Sequence, residues 1–137
     1  MGTTYTNITL KNAVDVGNAN RGLIAAGEVR ETAVRALVDT GAGTLVINDW
    51  VLAKLGLRIK GLKRITLGNN SKEIFRVTEP VEVHWNDREM SCDALVAPND
   101  GPVLLGAIPM EDMDLMVCPK SEEVTGAHGD EAITLVM

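Results

Sequence analysis

Aromatic residues and cysteines are scarce in this sequence of 137 residues, and each scarcity excludes a way of building the fold. One Phe, one Tyr and two Trp make up only 3% of the residues, so Val, Leu, Ile, Ala and Met must fill the core. The two cysteines, Cys92 and Cys118, have neither a metal-ligand spacing nor the density of a disulfide framework. The sequence therefore predicts a reduced, cytoplasmic protein that is stabilised by aliphatic packing.

Long apolar runs and clustered positive charge are also missing. No stretch reaches the roughly 18 apolar residues that cross a bilayer, and the N-terminus lacks the architecture of a signal peptide, so we expect no membrane contact. The formal net charge is −6, from 13 basic and 19 acidic residues. Because phosphate binding needs clustered Lys and Arg, we expect no nucleic acid partner and interpret the basic stretch 58–64 as a solvated edge.

The groups that carry nucleophilic, phosphate and metal chemistry are absent from the sequence pattern as well. His84 and His128 are single residues of surface type, and neither belongs to a Ser-His or Cys-His arrangement. Neither a glycine-rich phosphate loop nor a metal-ligand cluster is present. We expect no cofactor and no metal, which leaves carboxylates as the candidates for acid and base chemistry.

Short strand-like runs dominate a chain whose length predicts a single domain over residues 1–137. Alternating and β-branched segments predict strands at 4–10, 90–97 and 132–137, hairpins at 22–38 and 64–85, and a buried run at 103–106. Helices are predicted at 48–57, capped by Asn48 or Asp49, and at 109–116. The first hairpin is expected to turn near Gly27, and the second at residues 68–71. The pattern indicates a mainly-β fold with one or two short helices.

One carboxylate interrupts an otherwise apolar segment. Asp39 lies between the apolar runs 36–38 and 45–47, and none of its immediate neighbours is a Lys or Arg. One interpretation is an ordinary turn, because Asp, Thr and Gly all favour turns. The apolar runs on both sides argue against this interpretation, because a turn in solvent would expose those apolar residues as well. A half-buried carboxylate is costly unless its pKa shifts or it finds partners, so we interpret Asp39 as functional.

The residues around Asp39 suit acid and base chemistry that needs two copies. Gly41 allows its N–H to point at the carboxylate, and the hydroxyl of Thr40 can bond to backbone across an interface. Two carboxylates that share one proton can act as base and acid on a bound water. The chain carries one such loop, since the related segment 102–107 runs into a Gly-Ala step without an acid. A twofold homodimer would supply the second Asp39.

The segments LVDTGA (37–42) and VLLGAIPMEDMDLMV (103–117) resemble the retropepsin family, in particular its small cellular members related to retroviral proteases. The resemblance covers residues 22–117 and implies a closed acid-protease β-barrel, a homodimer, and a peptide or protein substrate. It also implies that the first and last strands interleave across the dimer, and that residues 68–71 form a flap over bound peptide. The implied catalytic residues are Asp39, Thr40 and Gly41. The implied substrate-binding residues are Ala42, Gly43, Val46, Gly68, Asn69, Asn70, Ser71 and Pro102.

Two positions depart from the retroviral pattern. Retroviral members usually carry an acidic residue where this chain has Gly43 and an Arg where it has Ala107, and the two form an ion pair near the dimer contact. Both partners are missing here, so no charge is left unpaired and the dimer must form through apolar and strand contacts. The loss keeps open a second hypothesis, a weak or inactive peptide-binding or dimerisation module of the same fold. Excision from a longer polyprotein is a weaker alternative, because the chain begins with Met and completes its own strand pattern.

Overall fold

Eleven strands form two sheets within residues 3–98, 100–118 and 120–129, the residues that the computed structural model describes. The strands are β1 (Tyr5–Asn12), β2 (Glu31–Val38), β3 (Leu45–Ile47), β4 (Ile59–Thr66), β5 (Lys72–Thr78), β6 (Val81–Trp85), β7 (Arg88–Cys92), β8 (Ala94–Val96), β9 (Leu104–Leu105), β10 (Leu115–Cys118) and β11 (Glu123–Gly126). The larger sheet has the order β4-β5-β8-β3-β9-β2-β1-β6-β7, and β10 and β11 form a separate hairpin. The predicted mainly-β fold is confirmed.

The large sheet is open, so the expectation of a closed barrel is wrong for the described part of the chain. Its edges are β4 and β7, which do not pair with each other. The reason lies in β4, which pairs with β5 along its whole length but is exposed at nearly every position. β4 therefore contributes almost nothing to the packed core, and the sheet ends at this exposed strand.

Most predicted strands are confirmed, but the predicted hairpin at 22–38 is wrong. Only its second half forms a strand, β2, which pairs with β1 from Lys11↔Glu31 to Tyr5↔Leu37. The first half contains a single 3₁₀ turn, Ala26–Glu28, and exposes 70% of Leu23. Residues 22–30 do not supply a partner strand; β1 pairs along one edge of β2 instead, and β9 pairs with its last two residues on the other edge.

The proposed interleaving of the terminal strands is wrong for the second half of β1. Residues 9–11 pair with β2 on one side and with β6 on the other, so both edges are hydrogen-bonded within the same chain. The predicted last strand, 132–137, lies outside the described residues. The β10–β11 hairpin was not predicted, since the first half of β10 lies in the helix predicted at 109–116 and no strand was predicted in the residues that follow it.

Three α-helices lie in the described residues, where one or two were predicted: α1 (Ala13–Asn20), α2 (Asp49–Leu55) and α3 (Ala107–Asp112). The helix predicted at 48–57 is confirmed as α2. The side chain of Asn48 caps it by accepting a hydrogen bond from Val51 N at 2.9 Å, and Gly56 ends it in the left-handed region with a φ of 59°. None of the described helices is long and apolar enough to span a bilayer.

The other two helices differ from the prediction. α3 begins two residues before the predicted start and ends four residues before the predicted end, since the chain enters β10 at Leu115. α1 was not predicted, because its apolar residues form no helical stripe. Its beginning is defined by the side chain of Asn12, which accepts a hydrogen bond from Asp15 N at 3.1 Å.

The core between the sheet and the helices is aliphatic, as the composition predicted. Every buried hydrophobic residue in the described part of the chain is an Ala, Val, Leu, Ile or Met. The fully buried positions include residues of β1, β3, β6 and β9, namely Leu10, Leu45, Ile47, Val81, Val83 and Leu105. The strands that hold the functional loops are therefore anchored by their inward faces in one continuous core.

A buried carboxylate ties α1 to the segment that leads into β2. Asp15, only 7% exposed, accepts hydrogen bonds from Arg30 N at 3.0 Å, Arg30 Nε at 2.8 Å and Arg30 Nη2 at 3.0 Å. These bonds from Arg30 hold the pKa of Asp15 below its ordinary value of 3.8, against the opposing effect of burial. The clamp replaces the strand pairing that residues 22–30 lack.

We expect Asp15→Asn to lower the free energy of unfolding at neutral pH by about 1–2 kcal/mol, since half of the Arg30 side chain is exposed to solvent. Because the pKa of Asp15 is lower in the folded state, its contribution is complete above the ordinary value of 3.8 and is lost as the pH falls below it. Urea titrations at neutral pH and at about pH 3 should show the difference between variant and wild type shrinking.

Asp49→Asn is the matched control, because it breaks an exposed pair with Arg76 and should cost less than about 1 kcal/mol. An Asp15→Asn deficit that is unchanged in acid would contradict the assignment of the clamp.

Candidate active site

Asp39 stands directly after the last residue of β2, where the chain leaves the core. Two parallel pairs, Leu37↔Leu104 and Val38↔Leu105, tie the end of β2 to β9, and Asp39 N donates to Leu105 O at 3.1 Å. The backbone of this half-buried residue is thus held by the centre of the sheet. The carboxylate therefore lies at the start of a loop whose first residue is anchored to the sheet, and not in an ordinary turn in solvent.

The loop after Asp39 folds back onto the carboxylate. Gly41 N donates to Asp39 Oδ1 at 3.0 Å, and Ala42 N donates to Asp39 O at 3.0 Å. A Cβ at position 41 would lie 3.1 Å from Asp39 Oδ1, a tight contact that glycine avoids. The predicted approach of the Gly41 N–H to the carboxylate is therefore present.

The start of α3 locks this loop from the other side. Ala107 N donates to Ala42 O at 2.9 Å, and Ile108 N donates to Gly43 O at 3.1 Å. Gly106 lies so close that a Cβ there would stand 2.2 Å from Thr44 O and 2.6 Å from Ala42 O. The retroviral pattern has an ion pair between the positions of Gly43 and Ala107. Here main-chain hydrogen bonds join the same two segments, so they hold the loop without charged side chains.

A cleft of about 640 Å³ opens beside Asp39. It lies between the loop, the β4–β5 hairpin and the segment after β8. Its lining residues are Asp39, Gly41, Ala42, Gly43, Thr44, Val46, Ile65, Thr66, Leu67, Gly68, Glu73, Phe75, Leu95, Ala97, Pro98 and Leu104. The cleft is thus a mostly apolar groove with the carboxylates of Asp39 and Glu73 as its charged groups among the described residues.

The structure brings some of the predicted site residues into this cleft and leaves others outside it. Asp39, Gly41, Ala42, Gly43, Val46 and Gly68 line it. Thr40, Asn69, Asn70, Ser71 and Pro102 do not, and each of these five is exposed.

Sequence reasoning missed the apolar wall that the hairpin and β8 contribute. Ile65 pairs with Glu73, and Lys63 pairs with Phe75, so these four side chains belong to one face of the hairpin. The alternation of side chains along β4 and β5 could have identified this face, because the turn at the tip fixes which residues of the two strands are paired. Leu95 carried no such signal, since it reaches the cleft only through the parallel pairing of β3 with β8.

The tip of the hairpin is a closed turn. Leu67 N donates to Ser71 O at 2.8 Å, and Asn70 N donates to Leu67 O at 2.9 Å. Asn69 Oδ1 accepts from Ser71 N at 3.0 Å and from Ser71 Oγ at 2.5 Å. The left-handed residue is Asn70, with a φ of 64°, rather than Gly68. The predicted hairpin with a glycine-containing tip is confirmed, and side-chain bonds brace it.

The cysteines and histidines contribute nothing to the cleft. Cys92 and Cys118 are both free thiols, and burial raises the pKa of the Cys92 thiol. His128 Nδ1 lies 2.6 Å from Asp114 Oδ2, and His84 lies on β6. Neither histidine lines the cleft, so the carboxylates of the half-buried Asp39 and the exposed Glu73 are the candidates for acid and base chemistry there.

Comparisons with known proteins identify the family and the fold of this chain. Residues 25–112 match the family model described as "gag-polyprotein putative aspartyl protease". The structure is similar to that of the EIAV protease complexed with the inhibitor HBY-793, with a TM-score of 0.51, 19% identity, and coverage of 81% of this chain and 88% of that one. It is also similar to the retroviral protease-like domain of Ddi1 from Leishmania major, with a TM-score of 0.53, 13% identity, and coverage of 91% and 88%. No curated protein matches the sequence.

Proposed function

Because the chain belongs to the retropepsin-like aspartyl protease family, we propose that it is an aspartic endopeptidase that works as a homodimer. The observation that carries the proposal is the place of Asp39. Its backbone is tied to the centre of the sheet, its carboxylate accepts the Gly41 N–H, and it borders a cleft that is large enough for peptide side chains. The other lining groups of the cleft are mainly apolar, so a peptide rather than a phosphorylated or sugar substrate fits best.

The chemistry needs a second carboxylate that one chain does not supply. Two Asp39 side chains from a twofold pair would share one proton, since like charges that close together cannot both ionise freely. The ionised carboxyl group would take a proton from a water between them, and that water would attack the peptide carbonyl. The protonated partner would donate a hydrogen bond to the carbonyl oxygen as negative charge develops on it. No metal or cofactor enters the reaction.

We propose the following roles for the remaining site residues. Thr40 is exposed beside the carboxylate, where its hydroxyl can brace the partner's loop. Gly41, Ala42 and Gly43 present main chain to the substrate backbone, and Val46 contributes to an apolar subsite. The hairpin tip, Gly68, Asn69, Asn70 and Ser71, acts as the flap, whereas Pro102 lies outside the cleft and takes no role in this proposal. Two free thiols fit a reducing, cytoplasmic location.

A second candidate is a peptide-binding or dimerisation module of the same fold with little catalysis. It is favoured by Gly43 and Ala107, because they offer no side-chain hydrogen bond to a substrate backbone and no ion pair near the subunit contact. The two candidates differ in one property, the presence of a working pair of acids.

We expect the wild-type protein to sediment as a dimer and to bind a statine-type inhibitor tightly, with one inhibitor for every two chains. The hydroxyl of such an inhibitor takes the place of the attacking water, so tight binding requires both carboxylates. Analytical ultracentrifugation gives the mass, and isothermal titration calorimetry gives the stoichiometry.

Each alternative predicts another result. A dimer that binds the inhibitor weakly or not at all would support the non-catalytic module. A protein that stays monomeric at high concentration would contradict the proposal, since each site would then hold half of its acids.

A further inference from the structure

Three side chains on the outer face of β6 and β7 converge at the edge of the large sheet opposite the flap. His84 and Glu89 are direct partners in the antiparallel ladder, and Glu82 precedes His84 by two residues on the same face. His84 Nε2 lies 2.5 Å from Glu82 Oε1 and 3.5 Å from Glu89 Oε2. One donor atom from each residue lies within 4.8 Å of the other two. The ladder keeps the three residues side by side, because all five residues of β7 pair with β6.

The cluster carries more negative than positive charge. Glu82 and His84 are largely buried, with 17% and 23% of their side chains exposed, whereas Glu89 is 64% exposed. Two carboxylates lie near one imidazole nitrogen, so the cluster keeps one net negative charge even with a protonated imidazole, and a bound cation would offset it. Lys11 is the neighbour of Glu82 on β1, but the ion pairs of the described residues do not join them.

A hollow of about 300 Å³ adjoins His84 on the β1 side. It is bordered by Asn7 and Thr9 of β1 and by Asn86 of the β6–β7 turn, all of which carry side-chain oxygens. Water molecules or these oxygens could complete the coordination of an ion that sits on the three donors. The space for further ligands is an observation separate from the cluster itself.

We infer that Glu82, His84 and Glu89 form a binding site for one divalent transition-metal ion, such as Zn²⁺. An imidazole nitrogen with two carboxylate oxygens suits Zn²⁺ or Mn²⁺ better than Mg²⁺, which prefers oxygen ligands alone. The bound ion would neutralise both carboxylates and link β6 to the edge strand β7. The inference does not rest on the proposed protease activity, because the site uses none of the cleft residues.

The sequence did not predict this site, because its spacing matches no familiar metal motif. His84 had been interpreted as a solvated residue, and only the hairpin turn at Asn86 brings Glu89 back to it. His128, the other histidine, makes a useful contrast, since it meets a single carboxylate, that of Asp114, and belongs to no metal-ligand group in the described chain.

The test is a Zn²⁺ titration of the full chain in competition with a chromophoric chelator. We expect one ion per chain and a rise in Tm of about 5 °C or more when free Zn²⁺ exceeds its Kd by 100-fold. His84→Gln and Glu89→Gln should each weaken binding at least about 10-fold. Mg²⁺ should bind much more weakly than Zn²⁺.

Two matched controls separate this site from other zinc ligands. His128→Gln removes the other imidazole, Cys118→Ser removes a free thiol, and both variants should bind Zn²⁺ as the wild type does. Glu89→Gln decides the matter if His84→Gln fails to fold, because Glu89 is exposed. Absence of stoichiometric binding in the wild type, or unchanged affinity in Glu89→Gln, would overturn the inference.

Discussion

Replacing Asp39 by Asn is expected to reduce peptide cleavage at least about 1,000-fold while the protein remains a folded dimer. Asparagine is close to aspartate in shape, so it can still accept the Gly41 N–H, which Asp39 Oδ1 now accepts at 3.0 Å. It cannot exchange a proton with a bound water, and a homodimer loses both acids with one substitution. Digestion of a denatured protein substrate in mildly acidic buffer measures the loss, and ultracentrifugation checks the dimer.

Asp87→Asn is the matched control for this experiment. Asp87 lies in the turn between β6 and β7 and does not border the cleft, so cleavage should be unchanged. Asp39→Ala should be as inactive as Asp39→Asn, and both should lose tight binding of the statine-type inhibitor. If Asp39→Asn digests the substrate as fast as the wild type, the assignment of Asp39 and with it the protease proposal is wrong.

Gly106→Ala is expected to be the most damaging single-methyl change near the cleft. The added Cβ would stand 2.2 Å from Thr44 O and 2.6 Å from Ala42 O, and both are backbone atoms that cannot rotate away. The loop must move as a whole, which breaks the bond from Ala107 N to Ala42 O. We expect a loss of about 3 kcal/mol in the free energy of unfolding, from overpacking and the lost bond together.

The activity should fall further than the stability alone implies, because the displaced loop carries Asp39. Urea unfolding and cleavage rates at a temperature where the variant is still folded separate the two effects. Gly17→Ala is the matched control. A Cβ at position 17 meets nothing within 4 Å, and alanine within α1 should raise the free energy of unfolding by about 0.5–1 kcal/mol. A Gly106→Ala protein of wild-type stability and activity would show that α3 does not hold the loop.

The candidate loop could be predicted from the sequence because its signals are local. Asp39 between two apolar runs, and the related segment ending at Gly106, both describe strand ends whose neighbours are determined by the chain itself. The flap hairpin was predicted for the same reason, since alternation on both sides of residues 68–71 leaves one register. The helix α2 carries its own cap at Asn48 and its own stop at Gly56.

The errors concern features that depend on distant partners. The segment 22–30 was assigned to a hairpin, but Arg30 binds Asp15 instead, and the edge of β2 is taken by β1. The prediction of a closed barrel was wrong because β4 lies outside the core. The sequence of β4 by itself does not show that it lies there. The apolar wall of the cleft was incomplete because Leu95 arrives through β8, about 50 residues from Val46, its partner in β3.

The sequence by itself determined that the chain is mainly β, that its core is aliphatic, and that Asp39 stands between two apolar runs. Those properties follow from the composition and from the spacing of residues a few positions apart. At that range, sterics and hydrogen-bonding capacity determine the local backbone structure. Only the tertiary structure decided that Gly106 and α3 lock the loop, that the hairpin and β8 wall the cleft, and that His84 meets two carboxylates. The physical reason is that such contacts join segments far apart in the chain, so they exist only once the strands have chosen their neighbours.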